Sequence, residues 1–288
     1  MAEPLSSVSS VRSSADPDGV AARGGGTWLG RVGGATISGL RAVAYLSAML
    51  AAGLAMAVRP GTWVHPVRDR LAKQILFAGV EAIPFTAVVA VLVGAMVYLQ
   101  CYLWLEYTGQ LDLSGRMVAG FLVRLAAPFL ATFIVIGASA SAITTEMATM
   151  KTSGEVLLLE SQGIDIFHYL VVPRMVGLSL CVFGLSLLFV VIAMLSAALG
   201  FLAFGGSILN AGPFYRSLFE SLSAADLGSL SVQTLLPGLL MGALCCYEGL
   251  RVGGASTEVP QAVSRAILRS IILTVTVTAC VTVAMSFR

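Results

Sequence analysis

The chain has 288 residues, of which 57% are hydrophobic and 11% charged, and its mean hydropathy is +0.91. Soluble domains carry about 25% charged residues because their surfaces must be covered with polar groups, so this composition excludes a water-soluble fold and points to a protein that uses a bilayer as its apolar solvent. The net charge of +2 and the lack of a basic stripe with interleaved aromatics exclude a nucleic-acid partner.

Residues 1–36 are rich in Ser, Gly, Ala and Asp and show no apolar period. They read as a disordered cytoplasmic tail. They lack the apolar core of a cleavable signal peptide. Residues 37–288 form the membrane domain.

Six charge-free stretches follow, at 42–58, 82–105, 125–145, 175–215, 227–247 and 270–287. A spanning helix needs about 20 apolar residues, which five of them supply and 42–58 barely reaches. The 175–215 stretch ends in Gly205–Tyr215, where Gly, Asn and Pro break a helix. It reads as one helix near 175–203 followed by an external loop, with a re-entrant pair as the alternative. Basic residues on both sides of 42–58 (Arg41 before, Arg59 after) place that segment along the inner leaflet as an interfacial helix. The expected fold is therefore all-α and polytopic, with an N-terminal interfacial helix, five transmembrane helices and a cytoplasmic coupling helix. With the N-terminus inside and the C-terminus outside, thirteen of the 17 Lys and Arg residues lie on the cytoplasmic side.

Small residues mark the spans. Gly137-Ala138-Ser139-Ala140-Ser141 closes the second, and Gly238 and Gly242 form a GxxxG in the fourth. Such residues allow close helix approach in lipid, either within one bundle or between two copies. The five cysteines lie in apolar runs without metal or redox spacing and read as small fillers. Glu81, Glu248 and Arg251 read as anchors at the membrane edge.

The most informative stretch is 141–174, between spans two and three. It is polar enough to leave the bilayer. Thr152 and Glu155 have capping-box spacing before an apolar run, Gly163 can end that short helix, and Asp165 can cap the next. A short amphipathic helix held between two membrane helices at the cytoplasmic face is the expected product.

Within this stretch, Glu146, Met150-Lys151 and Gly163-Ile164-Asp165, followed by Tyr169-Leu170-Val171-Val172-Pro173-Arg174, resemble the MlaE/YrbE permease pattern. Leu99-Gln100 and Tyr102 also look like that family's motif at the end of the first span. The resemblance covers about residues 37–287. It implies the membrane subunit of an ABC transporter that moves phospholipid or another hydrophobic lipid between membranes. Glu146, Met150, Lys151, Glu155, Glu160 and Asp165 would then couple to a cytoplasmic ATPase. Leu99, Gln100, Tyr102, Arg124 and Pro128 would lie near a lipid cavity that opens outward. The implied partners are cytoplasmic ATPase subunits, an MCE-domain lipid-binding protein, a second permease copy and membrane lipids. The implied location is the inner membrane.

No G-x-x-x-x-G-K-[ST] occurs, so this chain holds no cofactor, and any ATP is bound by the partner. The chain departs from the family at four places. Leu125 and Ala138 stand where the family has a glutamate and an arginine, Gly154 replaces a usual glutamate, and a lysine expected near Gln233 is missing. Two further readings follow from these losses and from the composition: a divergent scaffold half of a heterodimeric permease, and an ion-coupled secondary carrier.

Overall fold

The computed structural model describes residues 71–108, 114–204, 216, 224–253 and 256–286. The tail at 1–36, the interfacial segment at 42–58 and the external loop at 205–215 lie outside them. The described residues are all helix and short connections, with no strand among them. Five helical stretches are long and apolar enough to cross a membrane: Leu71–Trp104, Gly115–Thr152, Phe167–Ala203, Ala225–Leu250 and Val259–Ala284.

The first runs into α1, Ile83–Thr108. The second, α2, is a rod of three α-helical pieces, Ser114–Phe121, Ala127–Val135 and Ser141–Thr152, joined by π-helical turns at Leu122–Ala126 and Ile136–Ala140. A short helix, α3, covers Glu155–Ser161. Then come α4, Val172–Phe204, α5, Ala224–Leu250, and α6, Val259–Ser286.

Two of the π turns lead into a proline. Proline lacks an N–H and its ring crowds the carbonyl four residues back, so a helix that continues through it must widen or kink. Pro128 follows the turn at Leu122–Ala126, and Pro173 follows another at Phe167–Val171. Each rod thereby crosses its proline without breaking.

Four of the five helical stretches are longer than their charge-free runs, the second and fifth most tellingly. The second span begins at 115 rather than 125 and takes in Arg116 and Arg124. It also runs to 152, so residues 141–152, expected to leave the bilayer as a connector, continue the rod. The hydroxyls of Thr144, Thr145 and Thr149 donate to carbonyls one turn back, which satisfies them inside the helix. The fifth begins at 259 rather than 270 and takes in Arg265 and Arg269.

The burial of each span follows its place in the bundle. In their most apolar windows α5 is 72% buried, whereas the first and last spans are only 28% and 22% buried. α4 and α5 are the centre, and α1 and α6 present apolar residues such as Phe85, Leu92, Met96, Leu268 and Ile272 outward. That is the arrangement expected where the surrounding solvent is hydrocarbon.

Glycines set the helix spacing. A Cβ at Gly238 would lie 2.6 Å from the Ser179 Cα, and one at Gly242 would lie 2.7 Å from the Met175 Cα. The GxxxG pair therefore seats α5 on α4 within one chain. Gly94 seats α1 on α4 in the same way, against the Ala193 backbone. Across that contact the Ser196 hydroxyl donates to the Val91 carbonyl at 2.6 Å.

Candidate functional site

The connection between α2 and α4 is short and tightly held. Gly154 has φ +80° and forms the N-cap of α3 with no side-chain cap. The expected capping box is not made, because the Thr152 hydroxyl donates back to the Thr149 carbonyl. A left-handed glycine turn takes its place, since it redirects the chain more sharply than a cap residue in extended conformation can.

The other end matches the spacing expected from the sequence. Gly163 has φ +75°, its N–H bonds to the Glu160 carbonyl, and the Ile164 N–H bonds to the Leu159 carbonyl. This is a Schellman ending. The Asp165 carboxylate then accepts from the Phe167 N–H at 3.0 Å, capping the turn that leads into α4.

α3 buries Val156 and packs Leu159 against the bundle. It leaves Leu157 and Leu158 at 70% and 61% exposure, with Glu155 and Glu160 also exposed. Lys151 is exposed at the end of α2, and Met150 packs inward. Glu146 lies elsewhere, two turns back on α2, where it faces Arg174 rather than the surface beside α3.

Arg174 is 5% exposed. Its Nη2 donates to Glu146 Oε1 at 2.6 Å, while its Nη1 has no partner. The two residues share the wall of a cavity of about 390 Å³ with Lys73, Gln74, Tyr169 and Pro173. Beside it at the same end of the bundle, Glu248 is fully buried on α5 and ion-paired with Arg265 and Arg269 of α6. The anchor reading of Glu248 is corrected by this triad. It was missed because charge-free counting ends the fourth span before Glu248 and starts the fifth after both arginines. The i, i+4 spacing of Arg265 and Arg269 was the available signal.

The residues expected at an outward lipid cavity differ in exposure. Leu99 and Gln100 face outward from α1, Tyr102 is half-buried against the core, and Pro128 is buried. Arg124 donates from Nε to Asp226 Oδ1 at 2.7 Å, tying α2 to α5. All five lie toward the end of the bundle opposite the Arg174 cavity.

The family departures acquire positions. Leu125 and Ala138 are both exposed on α2. They are thirteen residues apart, about 20 Å along a helix at 1.5 Å per residue, so charges there could not have paired within one chain. Gln233, near the missing lysine, is buried with its Oε1 unpartnered. Gly154 stands where φ is positive, which a glutamate would strain.

Comparison with known proteins assigns the architecture. The family model for permease MlaE matches residues 71–284. A probable ABC transporter permease protein of Rickettsia typhi is 28% identical over 67% of this chain and 73% of its own length. One from Rickettsia conorii is 25% identical over 81% of this chain and 88% of its own. The intermembrane phospholipid transport system permease protein MlaE of Haemophilus influenzae is 23% identical over 68% of this chain and 74% of its own. With a single family model spanning all five helical stretches, this multi-pass membrane chain belongs to the MlaE permease family of ABC transporters.

Proposed function

We propose that the chain moves phospholipid between membranes as the spanning subunit of a transporter in the inner membrane, energised by a separate ATPase that docks on α3. The observation that carries this reading is the pair Leu157 and Leu158, exposed on a helix whose two ends are fixed by Gly154, Gly163 and Asp165. An amphipathic helix with an uncovered apolar edge suits a groove on a partner. Because α3 is clamped between α2 and α4, a push on it is delivered to two membrane helices. Phospholipid as cargo is supported by the Haemophilus relative. In this reading α3 is cytoplasmic, and the Arg124–Asp226 end faces the periplasm. An MCE-domain protein receives or supplies lipid there, beside a second permease copy.

The test is affinity purification of the full chain in mild detergent, with identification of the chains that accompany it. The wild type is expected to bring down a nucleotide-binding ATPase and to move phospholipid when ATP is supplied. The Leu157→Asp/Leu158→Asp variant is expected to lose the ATPase while still inserting in the membrane. Retention of the ATPase and of full transfer by that variant would overturn the assignment of α3.

A further inference from the structure

α6 carries one positive charge more than its neighbours neutralise. Arg265 donates from Nε to Glu248 Oε2 at 3.4 Å, and Arg269 donates from Nη1 to Glu248 Oε1. Among the described residues neither arginine has another hydrogen bond or ion pair. Two guanidinium groups thus share a single carboxylate, each using one of its five N–H donors. Glu248 is fully buried, whereas both arginine side chains are 45% exposed.

The exposed side of these arginines faces hydrocarbon rather than water. α6 is the least buried span, 22% in its most apolar window. The i, i+4 spacing stacks Arg265 and Arg269, and spacings of three and seven bring Leu268 and Ile272 onto the same side of the helix. Those two are 62% and 65% exposed. α6 starts at the α3 end of the bundle, where Ala262 packs with Ala148 and Val252. From Val259 to Ser286 it is about 42 Å long, close to a bilayer with its headgroups, about 40–45 Å. Arg265 and Arg269 stand about 9 Å and 15 Å from its start at 1.5 Å per residue. Helical side chains tilt toward the N-terminus, so both reach back toward the headgroup layer.

A charge at that depth is held by a partner, because there is little water to solvate it. Glu248 balances one of the two. The anion available to the other is a lipid phosphate, whose oxygens match the forked donors of a guanidinium. A zwitterionic headgroup brings its own cation, so an anionic headgroup balances the charge better. We infer that the Arg265–Arg269 face of α6 holds an anionic phospholipid, with its phosphate on the two guanidinium groups and its acyl chains along Leu268 and Ile272. This lipid is a fixed part of the outer face of the bundle. The inference stands whether or not the chain moves lipid.

The experiment uses the full chain in a non-ionic maltoside detergent. Dioleoyl phosphatidylglycerol, dioleoyl phosphatidylcholine and inorganic phosphate are titrated separately while thermal unfolding is followed. Saturable stabilisation by phosphatidylglycerol is expected, with phosphatidylcholine about tenfold weaker. Arg265→Gln leaves Arg269 and Glu248 as a balanced pair, and it should bring phosphatidylglycerol down to the phosphatidylcholine level. Arg265→Lys keeps the charge and should keep the preference. Arg116→Gln removes an equal charge from an exposed position at the opposite end of the bundle, and it should also keep the preference. The comparison of the two phospholipids on the wild type remains decisive where Arg265→Gln fails to fold.

Equal stabilisation of the wild type by the two phospholipids, or a preference that survives Arg265→Gln, would overturn the site. A loss in Arg116→Gln as large as that in Arg265→Gln would reduce the effect to general attraction between a basic chain and anionic lipid. Inorganic phosphate stabilising as well as phosphatidylglycerol would overturn the lipid source and assign the arginines to a soluble anion.

Discussion

Arg174, at the start of α4, crosses to Glu146 on α2 with Nη2 and Oε1 2.6 Å apart. The pair joins the two helices that flank α3, so the connection is closed both through the backbone and by a side-chain bond. Arg174 is almost fully buried and Glu146 is about half exposed. Breaking a buried pair costs about 3–5 kcal/mol and an exposed one at most about 1 kcal/mol, so Glu146→Ala should cost about 1–3 kcal/mol. Thermal unfolding in detergent measures it. Combining it with Arg174→Leu should cost less than the sum of the two single changes, because the second removes the charge that the first left alone.

Glu248 presents the stronger case. It is fully buried and paired with Arg265 and Arg269. Glu248→Gln leaves two arginines with only a neutral amide between them, and the expected loss is about 3–5 kcal/mol. Glu160→Gln, on an exposed position, should stay within about 0.5 kcal/mol. Equal losses from the two would show that the triad contributes nothing particular.

Helix spacing is open to a sharper comparison. A Cβ at Gly94 would lie 2.3 Å from the Ala193 carbonyl oxygen, whereas one at Gly137 meets nothing within 4 Å. Gly94→Ala must push α1 from α4 and should cost about 1–3 kcal/mol, as overpacking does. Gly137→Ala should be neutral or slightly stabilising, because alanine is the better helix former by about 1 kcal/mol. The two melting temperatures are the readout.

At the connection, Gly154 and Gly163 have φ of +80° and +75°. An L side chain in that region costs roughly 1–2 kcal/mol. Gly154→Glu, which restores the residue usual in the family, should therefore loosen α3. Hydrogen exchange of the amides from Ser153 to Ile164 should speed up severalfold, with little change in global unfolding.

Much of this architecture was legible from residue order because it depends on near neighbours. Gly163 and Asp165 end and restart helices through bonds that reach only a few positions, and both do so. The capping box failed on equally local grounds. A threonine can cap the next helix or bond back into its own, and Thr152 bonds back. The five spans were visible as apolar runs, yet their ends were placed too early or too late wherever a charge intervened.

Sequence alone settled the class of protein, the count of spans and the position of the short helix, since each follows from apolar content and local hydrogen bonding along the chain. Tertiary structure alone decided which charges belong inside. Arg124 and Asp226 stand 102 positions apart, and only helix packing can show that this arginine has a carboxylate waiting. Packing also turned GxxxG inward, where Gly238 and Gly242 seat α5 on α4. The physical reason is the low dielectric of the bundle: a charge there is tolerated by virtue of its neighbour in space, and no pattern along the chain names that neighbour.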